Sequence, residues 1–374
     1  MSNIRPTGVF EIQYNPRYLP DDFACKYKEF LLKDDDLVIA MTDLANDPKI
    51  LRVPTIVKTN GSNLLLNQRV GKLLVKDPTN IDIAYFKYAL GQKKTRSYYK
   101  KFAGGGLQIN IGKRQILNNE IPLPPLETQK RIVELLDRAQ AIIDKRKEQI
   151  KLMDDVIQSL FYDMFGDPVT NPMGWGLFPF EQVLKNIDSG WSPKCLQHSK
   201  TDDQWGILKL SAVTGGSYKP HENKQLPQNL SPKLNLQVNE QDLLFTRKNT
   251  KELVGACAYV FETPKKLLMP DIIFRFVTND KIDKIYLWQL FNETGFRGLV
   301  ASLAGGSAAS MINISKAKLK ELTIPLPTHD LQLLFSSRVE KIEAGKQAMT
   351  NSLKELEDNF NGLMQRAFKG ELDI

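Results

Sequence analysis

The sequence predicts a mixed α/β protein of α+β class: two mixed α/β domains separated by two long antiparallel helices that form a coiled-coil spacer, arranged as an internal repeat with pseudo-two-fold symmetry. Three observations predict it. First, Ile121-Pro122-Leu123-Pro124 recurs 203 residues later as Ile324-Pro325-Leu326-Pro327. The same offset relates Asn110-Ile111 to Asn313-Ile314, Lys113 to Lys316, Leu160 to Leu363 and Phe165 to Phe368. Second, each copy begins with short apolar stretches punctuated by Gly, Pro, Asn and Asp. Third, each copy ends in a stripe of apolar residues spaced alternately by four and three.

Taken in order, residues 1–125 form the first α/β domain, with strands at Asp36–Ala40 and Pro54–Val57 and a helix at Ile83–Leu90. Proline closes it. Residues 126–167 form the first long helix, with a spacer core of Ile132, Leu136, Ile143, Ile150, Ile157 and Leu160. Residues 168–327 repeat the domain, with strands at Leu243–Phe245 and Ile272–Val277 and a helix at Ile285–Phe291. Residues 328–374 form the second long helix, with a core of Val339, Ile342, Met349, Leu353, Leu356, Phe360 and Leu363. Each helix is the other's obvious partner, and a whole domain lies between them in sequence, so an antiparallel pair would place the domains at opposite ends. Arg146 and Lys346 interrupt the stripes. A polar residue there either fixes register or snorkels to solvent along its aliphatic stem, and the second reading is preferred. Small loop insertions shift the repeat slightly, since Ala103-Gly104-Gly105 matches Ala304-Gly305-Gly306 at 201 and Asp36-Leu37 matches Asp242-Leu243 at 206.

At 374 residues with 42% hydrophobic and 25% charged content, the chain has a globular composition, which excludes wholesale disorder. Three cysteines without CxxC spacing and three scattered histidines argue against a disulfide framework and against a metal site. No apolar run is long enough for a bilayer, and MSNIRPTGVF lacks a secretory core, so an intracellular, cytoplasmic protein is expected. The net charge of +8 is spread as +5 over residues 1–167 and +3 over residues 168–374. A diffuse positive balance suits nucleic acid without demanding it.

Enzyme signatures fail. There is no GxxxxGK[ST] loop, GxGxxG turn, HExxH helix or GxSxG elbow. Asn15-Pro16-Arg17-Tyr18 resembles the Asn-Pro-Pro-Tyr of adenine methyltransferases, but arginine replaces the second proline and no glycine-rich cofactor loop lies nearby. It is set aside as coincidence.

Basic side chains interleaved with aromatic and hydroxyl groups give the plainest signal, because Lys and Arg neutralise phosphates while Arg and Asn also read base edges. In the first copy the DNA-binding candidates are Arg5, Lys93, Lys94, Arg96, Lys100, Lys101, Gly104 and Gly105. In the second they are Ser192, Lys194, Lys209, Ser211, Arg247, Lys248, Asn249, Lys251, Gly305, Gly306 and Ser307. The glycines let backbone N–H groups approach a phosphate, or simply make a turn between helix and strand. Neither a catalytic nor a metal residue is assigned.

The segment Phe161–Pro168, with Asn171-Pro172 and Gly174-Trp175, resembles the junction between the first long helix and the second recognition domain in specificity (S) subunits of type I restriction-modification systems. Ile121–Gln129 resembles the start of that helix, and Phe368–Leu372 the family's C-terminal end. The resemblance covers nearly the whole chain. It implies two target recognition domains, each binding one half of a bipartite double-stranded DNA sequence, and a helix pair that fixes the gap. It implies partners too: modification (methyltransferase) subunits, two of them, and restriction subunits that translocate and cleave. The S subunit would hold no cofactor, while S-adenosylmethionine, ATP and Mg belong to those partners, and it would not itself be an enzyme.

One departure matters. The counterpart of Trp175 would fall about 28 residues ahead of Met1, so the first domain is expected to be N-terminally incomplete, lacking an opening strand and the loop matching Ser189–Lys194. Two other readings stay open: a self-contained adenine methyltransferase, and an orphan fragment that occupies modification subunits without reading DNA.

Overall fold

The computed structural model describes residues 3–44, 49–51, 53–92, 98, 108–305 and 311–372. By contacts the chain divides into two units, residues 1–148 with 350–374 and residues 149–349. Both long helices pass from one unit to the other.

In the first unit, the apolar quartet Leu37–Ala40 forms β2, following β1 (Leu31–Leu32). Unbroken apolar sequence in so short a strand means burial on both faces, and all four residues are at most 1% exposed. The faces divide by alternation. Val38 and Ala40 pack with Ile4, Val53, Val57 and Val70, whereas Ile39 packs with Leu51, Ile109, Ile111 and Ile116. After β3 (Thr42–Leu44) come β4 (Pro54–Ile56), β5 (Leu64–Leu65) and β6 (Val70–Leu73), and β2 is flanked antiparallel by β4 and β6. β7 (Gln108–Asn110) pairs with β3 as a separate two-stranded ribbon. The helices are α1 (Asp22–Lys26), α2 (Ile83–Gly91), α3 (Lys113–Leu117) and the first long helix, α4 (Leu126–Phe165).

The second unit repeats this plan. After β8 (Gly176–Pro179), β9 (Leu184–Ser189), β10 (Gly206–Leu208) and β11 (Asn223–Gln225), the buried quartet Leu243–Thr246 forms β12. β13 (Lys248–Asn249), β14 (Cys257–Tyr259), β15 (Leu267–Leu268) and β16 (Ile273–Thr278) follow, and β12 lies antiparallel between β14 and β16. Helices α5 (Lys284–Asn292), α6 (Thr294–Ser302) and α7 (Lys316–Glu321) surround β17 (Ile312–Asn313), and β18 (Thr323–Leu326) leads to the second long helix, α8 (His329–Lys369). β17 pairs with β13 as β7 does with β3. Here the sheet has a fourth strand, because β9 adds to β16, and β8 pairs with the Ile-Pro strand β18. The described residues of the first unit form no counterpart of β8, β9 or β18, and Leu123 stands 54% exposed where Leu326 is half-buried. The Ile-Pro-Leu-Pro segment is therefore a strand in the second copy only. A strand needs a partner for its backbone groups, and β8 supplies it there.

Each domain is welded to a long helix by the same three side chains. Gln129 and Gln332 are both fully buried. Gln332 Nε2 donates to the Pro327 carbonyl (2.8 Å), and its Oε1 accepts the Asp283 N–H (2.8 Å). In the first unit Gln129 donates to the Pro124 and Asn80 carbonyls (both 2.8 Å) and accepts from the Asp82 N–H (3.0 Å). Asp82 and Asp283 in turn cap α2 and α5, accepting backbone N–H bonds from Tyr85 (2.8 Å) and from Ile285 and Tyr286 (2.8 and 3.0 Å). Tyr85 and Tyr286 complete the weld, donating to the carbonyls of Pro122 (2.8 Å) and Pro325 (2.9 Å). The two rings pack on equivalent phenylalanines, Tyr85 on Phe368 and Tyr286 on Phe165, with centroids 5.2 and 4.8 Å apart. That contact explains why Phe165 and Phe368 recur in the sequence.

Within each unit the long helices run antiparallel. In the first, Ile132 and Leu136 pack with Ala367, Phe368 and Leu363, and Lys147 pairs with Glu357 at 2.7 Å. In the second, Ile157 and Phe161 pack with Phe335 and Val339. The heptad positions face the seam: Ile132, Leu136, Ile143, Ile157 and Val339 are buried, and Ile150, Leu160, Ile342, Met349, Leu353, Leu356, Phe360 and Leu363 are half-buried, as expected where two helices share one seam. The helices end at Gly166 and Gly370, both at positive φ (+74°), where a side chain would be strained. Lys346 corrects the expectation that it snorkels. Its ammonium bonds to Asp154 of α4 and lies 3.3 Å from Glu343, so the stripe interruption is an ion pair between the helices. The physical reason is placement: Asp154 offers a carboxylate nearer than bulk water. Arg146 is half-buried.

Candidate nucleic-acid interface

The two-stranded ribbon of the second unit gathers four of the residues singled out in the sequence. Lys248 and Asn249 form β13, opposite Asn313 and Ile312. Arg247 precedes them, and Gly305 exchanges two backbone hydrogen bonds with Asn313 (3.0 and 3.1 Å). The Arg247 Nε donates to Asn313 Oδ1 (3.0 Å), and its guanidinium lies 4.7 Å from the centroid of the buried Phe274 ring. Lys316 reaches the same ring at 5.4 Å and donates to the Ile187 carbonyl. Two cations held at one aromatic ring keep positive charge at the ribbon base, and among the described residues neither makes an ion pair. Asn249 is buried, its Nδ2 donating to Thr214 Oγ1 (3.1 Å), so it positions the ribbon and does not face solvent. Lys251 is exposed beyond it.

Ser192 and Lys194 lie on the segment after β9. Ser192 exchanges hydrogen bonds with Asp271, through its hydroxyl to the carboxylate and from the Asp271 N–H (3.0 Å). The next carbonyl, of Ile272, accepts the Arg247 N–H (3.1 Å), which sets this segment beside the ribbon. Gly190 makes the approach possible, since a Cβ there would sit 2.2 Å from the Pro270 carbonyl oxygen. Lys194 is exposed and makes no ion pair with a described residue. Lys209 and Ser211 form a separate cluster, both committed to Glu222, at 3.5 and 2.7 Å. The Ser211 hydroxyl, with Lys209 nearby, holds the Glu222 carboxyl below the usual range.

In the first unit Arg5 pairs with Glu11 (3.3 Å) and stacks on Tyr14 (3.4 Å to the ring centroid). The ribbon there has another character. Where the second unit has Arg247, Lys248 and Asn249, the offset of 206 places Met41, Thr42 and Asp43. Asp43 accepts the N–H groups of Ile50 (2.6 Å) and Leu51 (2.8 Å), and the Thr42 hydroxyl donates to Asn110 Oδ1 (2.8 Å). Lys93, Lys94, Arg96, Lys100, Lys101, Gly104, Gly105, Gly306 and Ser307 lie outside the described residues. Phe274, Lys316 and the Asn110/Asn313 pair escaped the sequence reading as interface residues, although the repeat itself marked Lys316 and both asparagines.

The family "Type I restriction modification DNA specificity domain" matches residues 6–152. Among curated proteins, the chain is 34% identical to the type I restriction enzyme EcoEI specificity subunit of Escherichia coli over 46% of this chain and 30% of that protein. It is 26% identical to the EcoKI specificity subunit of E. coli K12 over 67% of this chain and 57% of that one. The chain is thus similar to specificity subunits of type I restriction-modification systems.

These matches span about a third and somewhat over half of the two relatives' lengths. A solved structure of the type I R-M system shares the fold over 91% of this chain and 83% of its own, with a TM-score of 0.52 and 17% identity. The S subunit from M. genitalium does so over 98% and 90%, with a TM-score of 0.51 and 13% identity. Among the described residues, no helix is long and apolar enough to cross a membrane.

Proposed function

We propose that this chain is the DNA-reading subunit of a type I restriction-modification complex. Residues 1–125 and 168–327 each bind one half of a bipartite duplex target, and the long helices set the unread gap between the halves. The helices also dock two modification (methyltransferase) subunits and, with them, restriction subunits. The chain contributes recognition and scaffolding in the cytoplasm, while S-adenosylmethionine, ATP and Mg are held by the partners.

The observation that carries this reading is the duplicated plan: a ribbon-bearing α/β unit welded through Gln, Asp and Tyr to a long helix, twice in one chain. Two similar but non-identical readers on one scaffold suit two different half-sites. The contrast between Arg247-Lys248-Asn249 and Met41-Thr42-Asp43 makes them non-identical.

The test is binding of the full chain to mixed-sequence duplex DNA as salt is varied. Arg247→Ala and Lys248→Ala should each weaken binding and reduce the slope of log K against log salt by about 1, as loss of a phosphate contact does. Lys265→Ala, at an exposed position away from the ribbon, should change neither. Equal losses from all three would refute the assignment.

A further inference from the structure

We propose that Asn110 and Asn313 are equivalent DNA-contacting residues, one per half-site, each presenting its carboxamide N–H groups to an acceptor atom of the duplex. The inference rests on the DNA-reading function proposed above and names side chains that do the reading.

The repeat sets these asparagines 203 residues apart, each on the second strand of its ribbon. In both copies a donor from the facing strand or its start takes the carboxamide oxygen: Arg247 Nε in the second unit (3.0 Å) and the Thr42 hydroxyl in the first (2.8 Å). Arginine has no acceptor, so the atom it meets must be the oxygen. The orientation of Asn313 is thereby fixed, and in Asn110 the Thr42 hydroxyl donates to the same carboxamide oxygen. With the oxygen occupied, each Nδ2 keeps two N–H groups for which the described residues supply no acceptor. Asn110 is exposed and Asn313 half-buried.

Different residues at different ribbon positions perform the same pinning, which points to the outward amide as the feature the repeat retains. A pinned amide is a pure donor. It suits the oxygens of phosphate or the O6, O4 and N7 acceptors of the major groove. In the second unit Arg247 supplies charge at the same place, whereas in the first the pinning group is neutral, so the two asparagines act in unlike surroundings.

The experiment is selection of duplexes from a randomised library by the full chain, followed by affinity measurements on the selected duplex and on mixed-sequence duplex. Asn313→Asp keeps an acceptor for Arg247 and so keeps the local fold, but replaces the donors with negative charge. Asn110→Asp changes an exposed position. Each should lower affinity for the selected duplex about tenfold to a hundredfold and relax selection in one half of the target, a different half for each variant, with the melting temperature unchanged. A loss confined to the selected duplex assigns the acceptor to a base edge. An equal loss on mixed sequence assigns it to phosphate. Thr42→Val leaves Asn110 intact but unpins it, and should relax the same half as Asn110→Asp with a smaller loss of affinity. If wild type selects a split sequence and all three variants keep its affinity and selectivity, the inference is overturned while the DNA-reading function stands. If wild type selects nothing, both fall.

Discussion

Replacing Gln332 by alanine tests the weld between the second domain and its helix. The side chain is fully buried, and its loss strands two partners, the Asp283 N–H and the Pro327 carbonyl, each at 2.8 Å. A buried group left without its partner costs about 1–3 kcal/mol, and the space vacated adds a cavity term, so a loss of about 3 kcal/mol is expected. For a unit of this size that corresponds to a fall in melting temperature of about 6–12 °C. The chain's four tryptophans, Trp175, Trp191, Trp205 and Trp288, all lie in the second unit, so tryptophan fluorescence follows its unfolding without a signal from the first. Gln332→Leu separates the two contributions, because it fills the space and still breaks both bonds. A shift below about 0.5 kcal/mol for Gln332→Ala would refute the reasoning, since no buried hydrogen-bonded pair lost in this way is so cheap.

Other outcomes follow from the same geometry. Gly190→Ala should destabilise the second unit by about 2 kcal/mol or more in urea unfolding, because its Cβ meets two carbonyl oxygens at 2.2 and 2.3 Å and the backbone must move; an unchanged midpoint would contradict this. Tyr85→Phe should cost about 1 kcal/mol through the lost bond to Pro122, read by far-UV circular dichroism. Burial holds the Glu343 carboxyl above its ordinary pKa despite Lys346 beside it. A raised folded pKa means that ionised Glu343 opposes folding, so its favourable contribution is present below the unfolded pKa and lost as pH rises through the folded one. Glu343→Gln should therefore be the more stable protein at pH 7, with the advantage shrinking as pH falls into the range where Glu343 is protonated in the folded chain, and a less stable variant at pH 7 would be the contrary result. Lys346→Met removes the ammonium that bridges to Asp154 while keeping the stem. It should leave the helices folded and shift stability by less than about 2 kcal/mol in either direction, because a partly buried pair roughly offsets its own desolvation.

Much of the fold was legible because periodicity reports burial. Leu37–Ala40 and Leu243–Phe245 are unbroken apolar runs and prove to lie in central strands, while the alternating four-and-three spacing after Pro125 and Pro327 proves to be a helix–helix seam. Strand partnership was less legible. β9 reads Leu-Lys-Asn-Ile-Asp-Ser, polar enough to pass for a loop, and becomes a strand only because β16 offers its edge. The weld was hidden for a related reason: Gln332 lies 49 residues from Asp283, and nothing local marks a glutamine as buried. Residue type drew attention to Arg247, Lys248, Asn249, Lys209 and Ser211 alike, whereas the structure buries Asn249 and sets Lys209 and Ser211 against Glu222. Composition finds cations. It does not find what each cation is already holding.

The central claim, that two unlike readers on one chain specify a split DNA target, is tested most directly by mapping DNA modification. The chain would be co-expressed with a type I modification (methyltransferase) subunit in a host free of adenine methylation, and modified adenines located across the genome by single-molecule sequencing. The account predicts one asymmetric motif of two halves separated by a gap of fixed length. Co-purification of the two proteins with no adenine modified would contradict it, leaving a scaffold without a reader.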